Sequence, residues 1–142
     1  IVRWPGKVKA GSVSGEPVIL TDFFNTMLDV AGVKPSADQP TDGETLLPLL
    51  TGKGGMKRES IHFHYPNFAF HKDNRLGSAI RTGDFKLIHF YDDDSVELYN
   101  LAEDIGEKKD LAGEKPELAA TMKRDLEKWL EESGAKMPWA RK

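Results

Sequence analysis

The sequence predicts an α/β chain in two parts. A β-rich fragment and a helix belong to a larger α/β unit, and four short antiparallel strands packed against a C-terminal helix follow. Three observations predict it. Apolar residues recur at helical spacing from Thr21 to Val30 and again from Pro116 to Ser133. Short aromatic and β-branched runs crowd the stretch from Ser60 to Tyr99, and the change between the two regimes falls at the flexible run Lys53-Gly-Gly-Met-Lys-Arg58. The boundary is therefore placed after residue 57, giving parts 1–57 and 58–142.

Ile1-Val2-Arg3-Trp4 is rich in strand formers and stops at Pro5-Gly6, so it reads as a strand whose pairing partners lie elsewhere. The next helix carries Phe23, Phe24, Met27, Leu28 and Ala31 on one face, with Thr21 as N-cap, Asp22 in the first turn and Gly32 as the C′ stop. That face is expected to pack on a core. Lys34 to Gly43 is a loop, and Glu44 to Leu50 is a short apolar helical turn ended by Thr51-Gly52. The strands are placed at Ser60–Tyr65, Ala79–Arg81, Phe85–Tyr91 and Val96–Tyr99. Thr82-Gly83-Asp84 is a three-residue hairpin loop, Asp92-Asp93-Asp94-Ser95 an acidic turn, and the strands form a meander. The last helix has Pro116 at N1, Gly134 as its stop, and an apolar stripe of Leu118, Met122, Leu126, Trp129 and Leu130 to cover one face of the sheet.

Composition closes off several function classes. With 142 residues the chain can bury a core without staples, and with no cysteine it holds no disulfide, cysteine nucleophile or zinc-thiolate site. Twenty Lys and Arg against 23 Asp and Glu, interspersed, leave no basic footprint for nucleic acid or an anionic membrane. No apolar run approaches the roughly 20 residues of a transmembrane helix.

The most suggestive cluster is Ile61-His62-Phe63-His64-Tyr65-Pro66-Asn67. Residues two apart on a strand share a face, so His62 and His64 point together, away from Phe63 and Tyr65. Two imidazoles side by side suit a metal, an anion or substrate, or a pair of backbone hydrogen bonds at a strand end. Arg81, at a strand end beside a turn, offers a fork for sulfate, phosphate or carboxylate oxygens, or for a surface acid such as Asp84. Asp92-Asp93-Asp94 lacks the alternating spacing of a calcium loop and reads as a solvated turn. His71 and His89 have no carboxylate or Ser at a readable spacing, so no catalytic triad can be assembled.

The order of motifs points further. Ile1-Val2-Arg3-Trp4-Pro5-Gly6-Lys7-Val8, Leu20 to Gly32 and Asp42 to Gly52 come first. His62 to Pro66, Ala79 to Ile88, Glu97-Leu98-Tyr99-Asn100-Leu101, Glu103 to Glu107 and Asp110-Leu111-Ala112 then follow in register. Together they resemble the C-terminal third of a bacterial type I, formylglycine-dependent sulfatase of the arylsulfatase-like family. The resemblance implies an alkaline-phosphatase-like α/β fold, with 1–57 as the end of the catalytic domain and 58–142 as a C-terminal subdomain of antiparallel sheet and helix. It also implies hydrolysis of a sulfate monoester on a small molecule or glycan. The nucleophile would be a formylglycine made within a C/S-x-P-x-R motif, beside a Ca2+ ion held by Asp and Asn. No such pentapeptide is present here, so both groups are expected upstream, and this stretch alone is expected to be inert.

What the resemblance carries over is the rim of the substrate pocket. His64 is its first candidate contact, followed by His62, Tyr65 and Asn67, with Arg81 added from the residue reading. Asn67 stands where related sequences often carry a second His. Two other readings stay open: a noncatalytic module binding carbohydrate or protein, and a fragment of a phosphatase or phosphonate hydrolase of the same superfold. An unpaired first strand and an uncovered helix face lead us to expect dimerisation or partial disorder in residues 1–57. By resemblance, the full-length protein is expected to be periplasmic or secreted.

Overall fold

The computed structural model describes residues 1–67, 71 and 74–138. The chain divides into two compact units, Ile1–Glu59 and Ser60–Lys142.

In the first unit, α1 spans Asp22–Ala31 and α2 spans Leu47–Leu50. Gly32 ends α1 in the left-handed region at φ 67°, its N–H and that of Val33 donating to Asp29 and Leu28. Two expectations need correction. Ile1 to Arg3 forms no strand, since nothing among the described residues of the unit offers it a ladder; its turn instead closes through Lys7 and Val8 amides donating to the Trp4 carbonyl. Secondly, α1 does not pack on a core through its apolar side, which is uncovered, as is also expected of this stretch. Phe23, Phe24, Met27 and Val30 are exposed, whereas the buried residues are Asp22 and Thr26.

The reason is that α1 docks on backbone. Thr26 Oγ1 donates to the Asp22 carbonyl at 2.7 Å and accepts from the Leu46 amide at 2.9 Å. Asn25 donates to Thr41 Oγ1 at 3.0 Å and to the Gly43 carbonyl. Gly43 lies so close to the start of α1 that a Cβ there would sit 2.2 Å from the Thr21 carbonyl oxygen, so only glycine fits. Thr21 makes no side-chain cap; Asp22 captures the Ile19 amide at 2.9 Å instead.

Asp22 is the knot of this unit. Its completely buried carboxylate also accepts from the Glu44 amide and is gripped by both terminal nitrogens of Arg58, one of which donates to the Pro17 carbonyl at 2.9 Å. Burial alone would raise the Asp22 pKa, but the Arg58 guanidinium and the two amides hold it below the usual carboxylate value.

The second unit is the meander that the sequence predicts. Strands β1 (Ser60–Tyr65), β2 (Gly77–Thr82), β3 (Phe85–Phe90) and β4 (Val96–Asn100) form one antiparallel sheet in chain order, and α3 spans Pro116–Glu132. Thr82 pairs with Phe85, so the first hairpin has the two-residue loop Gly83-Asp84 rather than three residues; Gly83 at φ 57° supplies the positive first position that such a turn needs. Ile80, Leu87 and Leu98 stand opposite one another across β2, β3 and β4, almost fully buried. Over this row α3 lays Ala119, Met122, Leu126 and Leu130, with Leu118 and Trp129 at the margin. Pro116 begins the helix, and Gly134 ends it at φ 64°.

Two outcomes follow. Leu126→Ala, at the centre of the second unit's core, should cost about 2–5 kcal/mol, read as a lower denaturant midpoint. Because the Asp22 pKa is depressed, its contribution is complete above about pH 4 and is lost as acidification protonates it. Asp22→Asn should therefore cost about 3 kcal/mol at neutral pH and flatten the acid dependence of unfolding in the first unit. A variant whose acid limb matches the parent would disprove the assignment.

Candidate functional site

In the second unit, β1 carries the cluster singled out from the sequence, and the strand register fixes which way each residue faces. His62 pairs with Ile80, and His64 with Ser78, which in turn pairs with His89. Both histidines therefore share a face, and that face is the one α3 covers.

His62 lies flat on Trp129, ring centroids 4.6 Å apart and planes 8° from parallel. Burial pushes its pKa below the ordinary 6.5, with the Asp125 carboxylate partly opposing. The neutral ring thus acts as an aromatic lid on the edge of the core. His64 is held at both nitrogens. Nε2 lies 3.0 Å from the Lys136 carbonyl, which can only accept, so Nε2 carries the proton and Nδ1 is the acceptor in the neutral ring. Nδ1 lies 2.7 Å from Ser78 Oγ and 3.1 Å from Tyr91 Oη, and the two hydroxyls bond each other. Burial raises the Tyr91 pKa, with the Ser78 contact partly offsetting it, so the phenol stays protonated as a donor.

The opposite face is covered at Ile61 and exposed at the other end of β1. Phe63 and Tyr65 point there, about half exposed, and with Gly77, Ile88 and Phe90 they line a shallow depression of about 360 Å3. Gly77 is required at its floor, because a Cβ would come within 2.6 Å of the His89 carbonyl oxygen. Asn67, exposed, follows Tyr65 and Pro66 at the same end of the sheet. Arg81 does not join them. It pairs with Ile61, four residues back along β1 and so about 13 Å from Tyr65, and its Nε donates to the Gly83 carbonyl at 3.3 Å rather than to Asp84.

The cations beside the depression are already engaged. Arg75 lies over the Phe90 ring at 3.8 Å and donates to Asp92 and Asp93, and Lys86 is paired with both oxygens of Glu107 at 2.8 Å. Arg75 also holds the Asp92 carboxyl below its usual range. The acidic turn is thus a set of ion pairs, completed by Asp94, which takes Lys123 at 2.8 Å and is hydrogen-bonded to His89 Nε2 at 2.6 Å. Among the described residues no three His, Cys, Asp or Glu side chains converge to hold a metal ion, and no described helix is long and apolar enough to cross a membrane.

Among the described residues the arrangement places two half-exposed aromatic rings and the exposed Asn67 at one end of the sheet. Sequence reasoning missed Ser78, Tyr91 and Lys136. Ser78 was excluded because the strand is read as starting at Ala79, although Gly77 begins it.

Comparison with known proteins finds matches over nearly the whole chain. The family model for the N-sulphoglucosamine sulphohydrolase C-terminal region matches residues 1–136. An N-acetylglucosamine-6-O-sulfatase of Bacteroides thetaiotaomicron is 37% identical over 137 residues, covering 94% of this chain and 24% of the relative. A solved structure in complex with its substrate D-glucosamine-2-N,6-O-disulfate superposes with a TM-score of 0.74 at 36% identity, over 94% of this chain and 27% of that one. The phosphonate monoester hydrolase of Silicibacter pomeroyi superposes at 0.62 with 27% identity, over 95% of this chain and 28% of that one. The chain thus spans about a quarter of the length of the proteins it matches.

The His62 geometry makes a pH prediction. With its folded pKa lowered, stability is complete above about pH 6.5 and declines as the pH falls toward the folded value. His62→Phe, which keeps a ring on Trp129, should weaken that decline when melting is followed by tryptophan fluorescence between about pH 5 and 7.5. Equal declines in parent and variant would show that His62 is not the titrating group.

Proposed function

Because the chain belongs to the N-sulphoglucosamine sulphohydrolase C-terminal family of sulfatases, we propose that it is the C-terminal portion of a sulfuric ester hydrolase acting on a sulfated carbohydrate. The single observation that carries this reading is the 37% identity, over 94% of the chain, to an N-acetylglucosamine-6-O-sulfatase. The substrate-bound neighbour extends it: its ligand is a sulfated glucosamine, and an amino-sugar sulfate is the substrate class we assign. Residues 1–57 then complete the catalytic α/β domain and 58–142 form a C-terminal subdomain, the whole working in the periplasm or outside the cell.

Within this portion Tyr65 and Asn67 are the direct contacts. An exposed phenol ring can stack on the apolar face of a sugar, and an amide can both donate to and accept from its hydroxyls. His62 and His64 support the wall from its covered side. Formylglycine and Ca2+, which the family resemblance implies, do not fit the residues present: the sequence lacks both cysteine and the C/S-x-P-x-R motif, and no metal cluster occurs among the described residues. Those groups are assigned to the remainder of the longer protein, and no step of chemistry is assigned to this chain.

A second reading has its own support, since the phosphonate monoester hydrolase shares this fold over nearly the whole chain. The two differ in the ester they prefer. The full-length protein should hydrolyse glucosamine 6-sulfate and an aryl sulfate with a higher kcat/KM than an aryl phosphonate monoester. The 142-residue chain alone should hydrolyse neither. Tyr65→Ala should raise KM for the amino-sugar sulfate about fivefold while sparing the aryl sulfate. Preference for the phosphonate would establish the second reading, and turnover by the isolated chain would overturn both.

A further inference from the structure

We propose that His64 is a positioning residue that clamps the segment after α3 to the end of β1 and thereby sets the course of the Tyr65–Asn67 rim. The proposal rests on the sulfatase reading for what the rim does, and on geometry alone for the clamp.

The clamp is a hydrogen-bonded relay. It begins at Tyr91 and Ser78, passes through both nitrogens of His64, and ends at the backbone carbonyl of Lys136, a residue 72 positions away in sequence. Each link is fixed by something rigid. Ser78 is 2% exposed in the middle of the pairing row His64, Ser78 and His89, and the Tyr91 amide donates to the Leu76 carbonyl at 2.9 Å, tying the same end of β2 to the residue after β3. On the far side, Ala135 donates to the Leu130 carbonyl at 2.9 Å, so the Lys136 carbonyl is presented by the closed end of α3 rather than by a free tail. His64 is thus the point where the last turn of α3 and the exit of β1 are joined. The very next residue along β1 is Tyr65.

Imidazole is suited to this because its two nitrogens lie on opposite sides of the ring, one accepting and one donating. Truncation would leave Ser78 and Tyr91 bonded to each other and the Lys136 carbonyl without its donor, freeing the β1 exit on the side facing α3. The sugar contact would suffer while the reacting centre stayed intact. That separates positioning from catalysis.

Two substitutions divide the ring. His64→Gln can place an N–H near the Nε2 position and keep the Lys136 bond, whereas His64→Asn keeps an acceptor near Nδ1 and loses it. In the full-length protein, Asn should raise KM for glucosamine 6-sulfate about fivefold with kcat retained, Gln should restore most of the loss, and aryl sulfate turnover should be unchanged in both. Amide hydrogen exchange, read in the same proteins, should show residues 64–67 and 134–137 exchanging faster together in Asn and not in Gln. A large kcat loss on aryl sulfate in both variants would make His64 a group that touches the reacting ester and would overturn the proposal. Unchanged exchange in the Asn variant would overturn the clamp. An inactive parent protein would instead count against the sulfatase reading, and the exchange result would still decide whether the clamp exists.

Discussion

Burial of the row Ile80, Leu87 and Leu98 under Leu126 is the constraint on which the second unit depends, because it decides which face of the sheet is inside. Side chains on a strand alternate, so that choice sets which way each residue of β1 faces, although Ile61, on the far side, is buried as well. His62 and His64 go under the helix, where their nitrogens and ring faces serve packing and hydrogen bonding. Phe63 and Tyr65 go outward, where half their surface stays available. The same row places His62 against Trp129 and His64 against Ser78, so the two histidines that look most like ligands are the ones the fold consumes.

This explains how far the sequence was legible. The four strands, the last helix and its stops all follow from periodicity and turn residues, because each is a local signal that tertiary packing reinforces. The sharing of a face by His62 and His64 was legible too. Which face it was could not be read, since β1 joins β2 through the long connection 66–76, whose length leaves the register open in the sequence. The β2–β3 hairpin is different: Gly83-Asp84 sets Thr82 opposite Phe85, and counting back from it places Ser78 opposite His89. Starting β2 at Ala79 hid Ser78, and with it the partner that explains His64.

The first unit shows the limit of apolar periodicity. The stripe Phe23, Phe24, Met27 on α1 predicted a buried face, and the helix is real, but what it buries within the unit is Asp22 and Thr26. Backbone amides and carbonyls of the loops around α1 demand partners, and short polar side chains supply them at close range. One carboxylate then ties together the Ile19, Glu44 and Pro17–Arg58 segments, with Arg58 neutralising it. Such a knot is specific but carries an acid-sensitive charge. The exposed apolar stripe remains as a surface of the kind that proteins cover in association.

Charge on the outer face of the sheet narrows what that face can recognise. A pocket wall that selected the sulfate group itself would present cations free to meet an anion, yet Arg75 is spent on Asp92 and Asp93 and Lys86 on Glu107. The paired cations leave the depression close to neutral, with aromatic rings, a glycine floor and the Asn67 amide at one end. Stacking and neutral hydrogen bonds distinguish one sugar from another while remaining nearly indifferent to the charge of its substituent. On the proposed reading, the outer face of the sheet would therefore read the sugar ring rather than its sulfate.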